Sequence, residues 1–587
     1  MTTPLPRPLP LSIFRDDEPV IQSHSLLNAA RLPGVQVPLF GDTSAWDFNG
    51  VVRRNANLSE GSFRMNLNEG LASPEWNLTA REVAMVMANP RHEVVIDAGV
   101  HLPPEPFDVQ TIIRTNSLLR TIVSWGRGNG MPDRLDGWRD TDFRRFTNWL
   151  ATTKGRQAGT VMNYTAVIKR LHEIGPALAF GGPLVDPWPG KSARQAAKYE
   201  VASELSTPNV PPEIWFPLVR AAWTYVHTFA PDVLRAFHRY ERLHGRVRQF
   251  SRDTITPHLE AWLADPASRI PLHAPEAPDH FGARREGVNW GLLRLFIQAD
   301  PRGSAFSSDT RVGRLRQERV LQALEAGHPT TTGLIDDLAQ VTRADGTTGP
   351  WHPGLDPRAL TTLVSRMRDA AFCLVVALSM MRDSEIHEIR RGALVEHYNA
   401  PAIASSLDKG HRGRPGKHWW ITDPVAEAIT VAEAISVHEE RVFAPLKRPN
   451  STRAAHGAQM LECFVATVNN GSAWTGLEPI PGGRISPHMF RKTMAMLTDQ
   501  FPGSEIALGL QLKHVAGRAL ANRSTLGYAA ADTQWAHLLE NAVDAARFRR
   551  FKDLFGAHKD SQPIGYGPRA RSFSGAGLDQ VESVAGV

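Results

Sequence analysis

The stretch DPRALTTLVSRMRDAAFCLVVALSMMRDSEIHEIRRGAL, residues 356–394, decides the fold. Its middle part, AAFCLVVALSMM, is almost continuously apolar, which predicts a long and largely buried helix. We expect this helix to break near residues 381–383 and a short second helix to begin at Ser384. Arg382, with Glu385 three residues later, is the first group in this part of the chain that could carry chemistry.

Basic residues crowd the segment that follows. AIASSLDKGHRGRPGKHWWITD, residues 402–423, consists of two extended pieces around a turn rich in Gly, Pro, Arg and Lys. This composition predicts a β-hairpin. Its turn contains Lys409, Arg412, Arg414 and Lys417, which form the second group of candidate residues.

Two further groups lie near the C-terminus. SPHMFRKTMAM, residues 486–496, predicts a helix with Ser486 as N-cap and Pro487 at its first position. His488 and Arg491 lie at i and i+3 on that helix, so they could reach one anion together. LGLQLKHVAGRALANRSTLGYAA, residues 508–530, contains His514 and Tyr528. A lone His-x-x-Arg pair is common on surface helices, so the information lies in the ordered set of four groups.

The bulk properties are those of a multidomain globular protein. At 587 residues the chain exceeds the size of a single core, so we expect two to four domains. The net charge of +6 fits either a polyanionic partner or an ordinary basic protein. Cys373 and Cys463 offer neither a disulfide framework nor a zinc cluster. Without a signal-peptide pattern or a membrane-spanning apolar run, we expect a cytoplasmic protein with no membrane association.

The chain before residue 356 has mostly helical patterns. Residues 109–178 predict three or four short helices with basic outer faces, which would suit a DNA duplex but also any solvated helix surface. A further helix is predicted after the double proline in residues 209–230, and another in residues 78–90 with Thr79 as its N-cap. Residues 231–355 continue helically without a chemical motif.

In their order along the chain, the four groups resemble the catalytic boxes of the tyrosine recombinase (phage integrase) family, and the layout is similar to long actinobacterial-type integrases. The matching elements are R-D-S-E-I after an apolar helix, K-G in a hairpin, P-H-x-x-R and a late G-Y-A. The resemblance covers residues 356–543. The helices of residues 109–178 resemble the core-binding domain of the family.

The resemblance implies a metal-free DNA strand transfer. Tyr528 would attack a DNA phosphate and form a 3′-phosphotyrosyl link, while Lys409 protonates the leaving 5′ oxygen. His488 would handle the proton of the tyrosine. Because a phenol has an ordinary pKa of about 10, its attack at neutral pH needs a proton acceptor and a cationic pocket. The resemblance implies neither a metal nor a cofactor.

The remaining groups would act on the phosphate. Arg382 and Arg491 would bind its non-bridging oxygens, for which a planar guanidinium suits better than a lysine ammonium. His514 would add a hydrogen bond, although the segment between His514 and Tyr528 is longer than usual in the family. Glu385 would orient the neighbouring basic groups.

Two assignments have a rival, and three basic residues are expected on DNA. Lys417 competes with Lys409 as general acid, and Lys409 is favoured because K-G stands where the hairpin turn of the family begins. Tyr566 lies in a Gly/Ser/Pro-rich tail and is a poor rival to Tyr528. The residues expected to bind DNA from the hairpin are Arg412, Arg414 and Lys417.

The expected fold class is mainly α with a small β-hairpin or sheet (α+β), combining a helical core-binding domain with a catalytic domain. The expected divisions are an accessory region or arm at 1–105, a SAM-like core-binding domain at 106–205, a catalytic domain at 206–550 with an insertion at about 231–355, and a mobile tail at 551–587. The expected partner is double-stranded DNA, with a homotetramer on two synapsed duplexes.

The leading functional hypothesis is a site-specific recombinase that integrates or excises a mobile element. A type IB topoisomerase-like nicking and joining enzyme would use a similar Arg, Lys, Arg, His and Tyr set. A DNA-binding relative with an inactive centre is the alternative from a different class. Strand exchange between matching sites and the formation of a covalent DNA adduct would separate the three.

Overall fold

The computed structural model describes most of the chain up to residue 512. The described residues are 11–22, 34–68, 71, 73–200, 207–247, 252–274, 286–300, 303–406, 416–446, 455–498 and 511–512. Within them helices dominate and the sheets contain two or three strands, which confirms the expected class, mainly α with a small β component.

The N-terminal part combines a small strand pair with helices. Strand β1 (Ala45–Asp47) pairs antiparallel with β2 (Arg64–Asn66). The helices that follow are α1 (Pro74–Ala88), α2 (Glu93–Asp97), α3 (Val109–Gly128), α4 (Asp140–Thr152), α5 (Ala158–Glu173) and α6 (Ala193–Ala196). Buried side chains from Phe14 to Phe180 form one apolar cluster, which we call the N-terminal core. The first hundred residues therefore share a core with the helices predicted to contact DNA.

Helix α1 begins earlier than its sequence pattern indicated. The Ser73 hydroxyl accepts a hydrogen bond from the Trp76 backbone N–H, and Pro74 occupies the first helical position. Thr79, the predicted N-cap, lies inside the helix and is buried. The Thr79 prediction was wrong because the serine–proline pair, a strong start signal, lies six residues upstream.

The middle of the chain contains two connected units. Helix α7 (Pro212–Thr224) continues through one π-helical turn, Tyr225–Phe229, into α8 (Ala230–Gly245). The residues that follow build a separate small apolar cluster, which includes Leu259, Leu293 and Val320. Its elements are α9 (Arg252–Ala264), β3 (Ile270–Pro271), α10 (Trp290–Phe296), α11 (Arg311–Glu325) and β4 (Thr330–Thr331), and β3 pairs parallel with β4. Strands β5 (Gln340–Thr342) and β6 (Thr348–Pro350) then form an antiparallel pair.

Helix α12 (Pro357–Leu378) is the centre of the C-terminal part. The Asp356 carboxylate caps its N-terminus by accepting hydrogen bonds from the N–H groups of Arg358 and Ala359, both 2.9 Å long. The apolar run from Ala370 to Ala377 is buried on every side, as a helix without a polar face must be. Other helices surround it, namely α7, α8, α14 (Asp423–Ile435), α15 (Gly457–Thr475) and α16 (Pro487–Thr498).

After α12 the chain breaks and turns into a short helix, as predicted. Helix α13 (Asp383–His387) begins one residue before the predicted start. The predicted hairpin is confirmed: β8 (Pro401–Ser406) pairs antiparallel with β9 (Gly416–Trp420), and β7 (Leu394–Glu396) extends this sheet on the other edge of β8. Helix α16 begins at Pro487, as its motif predicted.

No helix among these described residues is both long enough and apolar enough to cross a membrane.

Close packing at the start of α15 fixes the first residue of α13. A Cβ atom added at Gly457 would collide with the Asp383 carboxylate and lie 2.5 Å from Phe372 Cζ. We expect Gly457→Ala to lower the free energy of unfolding by about 1–3 kcal/mol, because the added methyl group overpacks a buried contact.

Urea denaturation of the full chain measures this effect. Gly128→Ala is the matched control, since a Cβ at Gly128 meets no atom within 4 Å and alanine favours the helix. Equal stabilities of the Gly457→Ala variant and the wild type would contradict the packing described.

Candidate active site

Arg382 and Glu385 form a closed pair at the start of α13. Arg382 occupies the N-cap position, and its backbone N–H donates to Glu385 Oε2 over 2.7 Å. The guanidinium Nη1 of Arg382 donates to Glu385 Oε1 over 2.6 Å. Both carboxylate oxygens therefore hold the same residue, once through its backbone and once through its side chain. The Arg382 side chain is 19% exposed, so it is partly accessible to solvent.

Arg491 approaches the same carboxylate from α16. Its Nη1 lies 3.7 Å from Glu385 Oε2, and the side chains of Arg491 and Glu385 are 1% and 0% exposed. Two backbone carbonyls complete its surroundings: Nη1 donates to Met380 O and Nη2 donates to Leu512 O over 2.8 Å. Glu385 thus lies between two arginines that are more than 100 residues apart in the sequence.

The turn between α12 and α13 adopts a demanding backbone conformation. Met380 has a φ of +57°, in the left-handed region that residues with a Cβ rarely adopt. In this conformation its carbonyl accepts the hydrogen bond from Arg491. Gln511 supports the turn as well, because its side-chain amide donates to Ser379 O and to Trp420 O, both over 2.9 Å. The turn is therefore tied to both α16 and the hairpin.

His488 and Arg491 lie on α16 as the spacing predicted, but at different depths. Arg491 is buried against α13, whereas His488 is exposed near the start of the helix. His488 is near enough to Asp383 for its charge to affect the carboxylate. The site thus combines an exposed histidine and a partly exposed arginine with the buried ion pair of Glu385 and Arg491.

Asp383 is a site residue that the sequence did not reveal. Its Oδ2 accepts a hydrogen bond of 2.9 Å from the Asn57 side-chain amide, and its Oδ1 lies 3.3 Å from His387 Nε2. Burial is the largest single influence and acts to raise the pKa of the Asp383 carboxyl, whereas the adjacent His387 lowers it. The Asn57 amide and the charge of His488 add to this effect, so the pKa lies below its ordinary value.

Five of the predicted site residues lie outside the described residues, namely Lys409, Arg412, Arg414, His514 and Tyr528. Lys417 is described: it is exposed on β9 and pairs with Ser405 of β8. Ser405 in turn donates from its hydroxyl to the Glu385 backbone carbonyl over 2.7 Å. The hairpin that carries the basic turn is therefore attached directly to the arginine pair.

The comparisons with known proteins add little to this geometry. No protein-family model matches the sequence, and no curated protein matches it. Among solved structures, a XerA recombinase is similar at a TM-score of 0.22 and 11% identity, over 74% of this chain and 91% of that chain. A likeness this weak carries no weight for fold or activity, so the functional interpretation depends on the residues themselves.

The lowered pKa of Asp383 has a consequence for stability. Because the folded state holds this carboxyl at a lower pKa than the unfolded chain, its contribution is present above about pH 4 and is lost as the pH falls through the folded-state value. We expect the stability advantage of the wild type over Asp383→Asn to hold near pH 5 and to shrink below about pH 4.

Urea unfolding at a series of pH values measures this difference. Glu462→Gln, at an exposed position of α15, is the control for general loss of a negative charge. Parallel stability curves for the wild type and Asp383→Asn down to acid pH would contradict the assigned shift.

Proposed function

We propose that the protein is a tyrosine-type DNA strand transferase, and more specifically a site-specific recombinase, with Tyr528 as nucleophile. The observation that carries the proposal is the convergence of Arg382, Glu385 and Arg491, from α13 and α16, beside an exposed His488. These residues belong to the ordered motifs that resemble the recombinase family. Their convergence is what a phosphate-binding centre requires and what unrelated surface motifs would not need.

The proposed reaction exchanges one phosphoester for another. The Tyr528 oxygen forms a bond to phosphorus, the bond to the 5′ oxygen breaks, and a 3′-phosphotyrosyl link results. The phenolic proton passes to His488, and Lys409 supplies a proton to the leaving oxygen. The reverse steps rejoin a strand without an external energy source, because the phosphoester energy is kept in the covalent intermediate.

Fixed cations supply the electrostatic part of catalysis in this proposal. Negative charge builds up on the phosphoryl oxygens in the transition state, and preorganised guanidinium groups stabilise it without rearranging. Arg382 suits this role because its side chain is partly exposed and its guanidinium is fixed by Glu385. Glu385 is then a positioning residue. Arg491 would have to exchange a carbonyl contact for a phosphate oxygen in order to touch DNA.

The assignment of His514 is part of this proposal and comes from the motif. The nearest described residue is Leu512, two positions earlier in the sequence, whose carbonyl accepts a hydrogen bond from Arg491.

The burial of Arg491 favours a second candidate, a DNA-binding relative with an inactive centre. In that case Arg491 would only stabilise the fold by filling the space between α13 and α16. A topoisomerase-like enzyme would share the chemistry but relax plasmids that lack any specific site. A recombinase would exchange strands between two matching duplexes, for which we propose an assembly of four protomers, as in the integration or excision of a mobile element.

The nucleophile is tested with a pool of nicked random-sequence duplexes. Cleavage beside a nick releases a short fragment, so the protein remains covalently attached to DNA and survives denaturing electrophoresis. We expect an adduct with the wild type and none with Tyr528→Phe, which lacks the attacking oxygen. Tyr566→Phe is the matched control and should react like the wild type. Adduct formation by Tyr528→Phe would refute the assignment, and no adduct with any protein would favour the inactive relative.

The general acid is tested with DNA that carries a 5′-bridging sulfur at the cleavage site selected above. A thiol has an ordinary pKa of about 8.5, so a thiolate leaves without the proton that an alkoxide needs. We expect Lys409→Ala to slow cleavage of normal DNA by roughly 10²–10⁴-fold. On the sulfur substrate, the cleavage rate of this variant should return towards that of the wild type.

Lys417→Ala is the matched control on the neighbouring strand β9. Lys417→Ala should slow cleavage of normal DNA less than Lys409→Ala does. Its cleavage rate should not recover on the sulfur substrate. Recovery in Lys417→Ala instead of Lys409→Ala would move the general acid to Lys417.

A further inference from the structure

The outer side of the turn that carries Arg382 contacts the N-terminal part of the chain. We call residues 382–388 the arginine turn and residues 53–57 the latch loop. Asn57 Nδ2 donates to Asp383 Oδ2 over 2.9 Å, and Arg53 Nη2 donates to Glu388 Oε2 over 2.6 Å. The backbone N–H of Ala56 donates to Glu388 Oε1 over 3.0 Å. Both carboxylates on the outer side of the arginine turn thus bind one short loop.

The latch loop is fixed to its own part of the protein. The Leu58 backbone N–H donates to Asn55 O over 3.0 Å, and the Arg54 guanidinium donates to Leu58 O, so the loop is closed on itself. Val51 before it and Phe63 after it are buried in the N-terminal core. That core also contains α3, α4 and α5, the helices predicted to contact DNA.

The arginine turn needs support from outside because it is short. Helix α13 has five residues, far fewer than a helix needs to be stable by itself. Its position must therefore come from tertiary contacts. Glu388 is 9% exposed, and a hydrogen bond to a poorly solvated carboxylate is stronger and more directional than one at the surface. Glu385 holds the inner side of the turn, and the latch loop holds its outer side.

We propose that the latch loop is a positioning element of the DNA-cleaving site. Asn57 acts through Asp383, and Arg53 and the Ala56 N–H act through Glu388, to keep Arg382 in place for the phosphate. This inference rests on the proposed strand-transfer function. Since the N-terminal core carries both the loop and helices α3–α5, a duplex that binds those helices also influences where Arg382 lies.

Substitutions at the Asn57–Asp383 contact separate positioning from general stability. Asn57→Ala removes the hydrogen bond, and Asn57→Asp opposes two carboxylates at the same place. The double substitution, Asn57→Asp with Asp383→Asn, restores a hydrogen bond with donor and acceptor exchanged. Asn49→Ala is the matched control, because the Asn49 amide donates to Asp47 and Glu60 within the N-terminal part.

Two measurements on the full chain read out the effect. Amide hydrogen exchange reports the order of the arginine turn, with residues 119–123 of α3 as an internal reference. Single-turnover adduct formation on the nicked duplex selected with the wild type gives the rate at saturating protein, and fluorescence anisotropy on an intact duplex gives the Kd. We expect Asn57→Ala to speed exchange in residues 382–388 roughly tenfold and to slow adduct formation roughly tenfold. The Kd should stay within about twofold, because the contact does not touch DNA.

The double substitution should recover part of both losses, and Asn49→Ala should match the wild type. Unchanged exchange in Asn57→Ala would overturn the proposal, and so would faster exchange with an unchanged rate of adduct formation. If the wild type forms no adduct, the strand-transfer function fails, but exchange in the arginine turn still decides whether the latch loop positions it. If Asn57→Ala shows a normal rate of adduct formation and normal exchange, the positioning role of the latch loop is rejected. The strand-transfer function is then still supported.

Discussion

The buried carboxylate of Glu385 is the contact on which the rest of the site depends. Glu385 and Arg491 are almost completely buried. Removing one partner of such a pair would leave an unpaired buried charge and destabilise the fold by about 3–5 kcal/mol. The pair is therefore acceptable only when α13 and α16 meet in one relative position. Arg382 shares the same carboxylate, so the same constraint fixes the guanidinium of this partly exposed side chain.

The elements around the site supply hydrogen-bond partners for the backbone carbonyl groups near the break after α12. The Met380 carbonyl accepts a hydrogen bond from Arg491 while Met380 is in a left-handed conformation. This conformation is unfavourable by roughly 1–2 kcal/mol for a residue with a Cβ. Ser405 binds the Glu385 carbonyl, and Gln511 joins the end of α12 to β9. Helix α12 provides the fixed base because its neighbours bury the run from Ala370 to Ala377 on every side. Strain and polar contacts therefore concentrate at the break after α12, where functional sites commonly store them.

Local signals in the sequence were sufficient to predict the elements that carry the site. The apolar run before Arg382 predicted α12 and its break, the Gly/Pro-rich turn predicted the hairpin, and Pro487 marked the start of α16. The contacts between these elements had no such signal. Asn57 lies more than 300 residues from Asp383, and nothing in the local pattern of either residue indicates the other. The burial of Arg491 was also unpredictable, since the i, i+3 spacing with His488 defines a shared face but not its depth.

The N-terminal part is joined to the arginine turn by specific hydrogen bonds as well as by the chain. A five-residue helix cannot by itself hold Arg382 to within the roughly 0.5 Å that the proposed phosphate chemistry requires. Inner contacts from Glu385 fix the guanidinium relative to α13 and pair α13 with α16, while a separate set of contacts holds the outer side of α13. Asp383 and Glu388 are the carboxylates on that side, and both bind the latch loop. The arginine turn thus packs in one apolar core through Ile386 and is bonded to a loop that is anchored in the other.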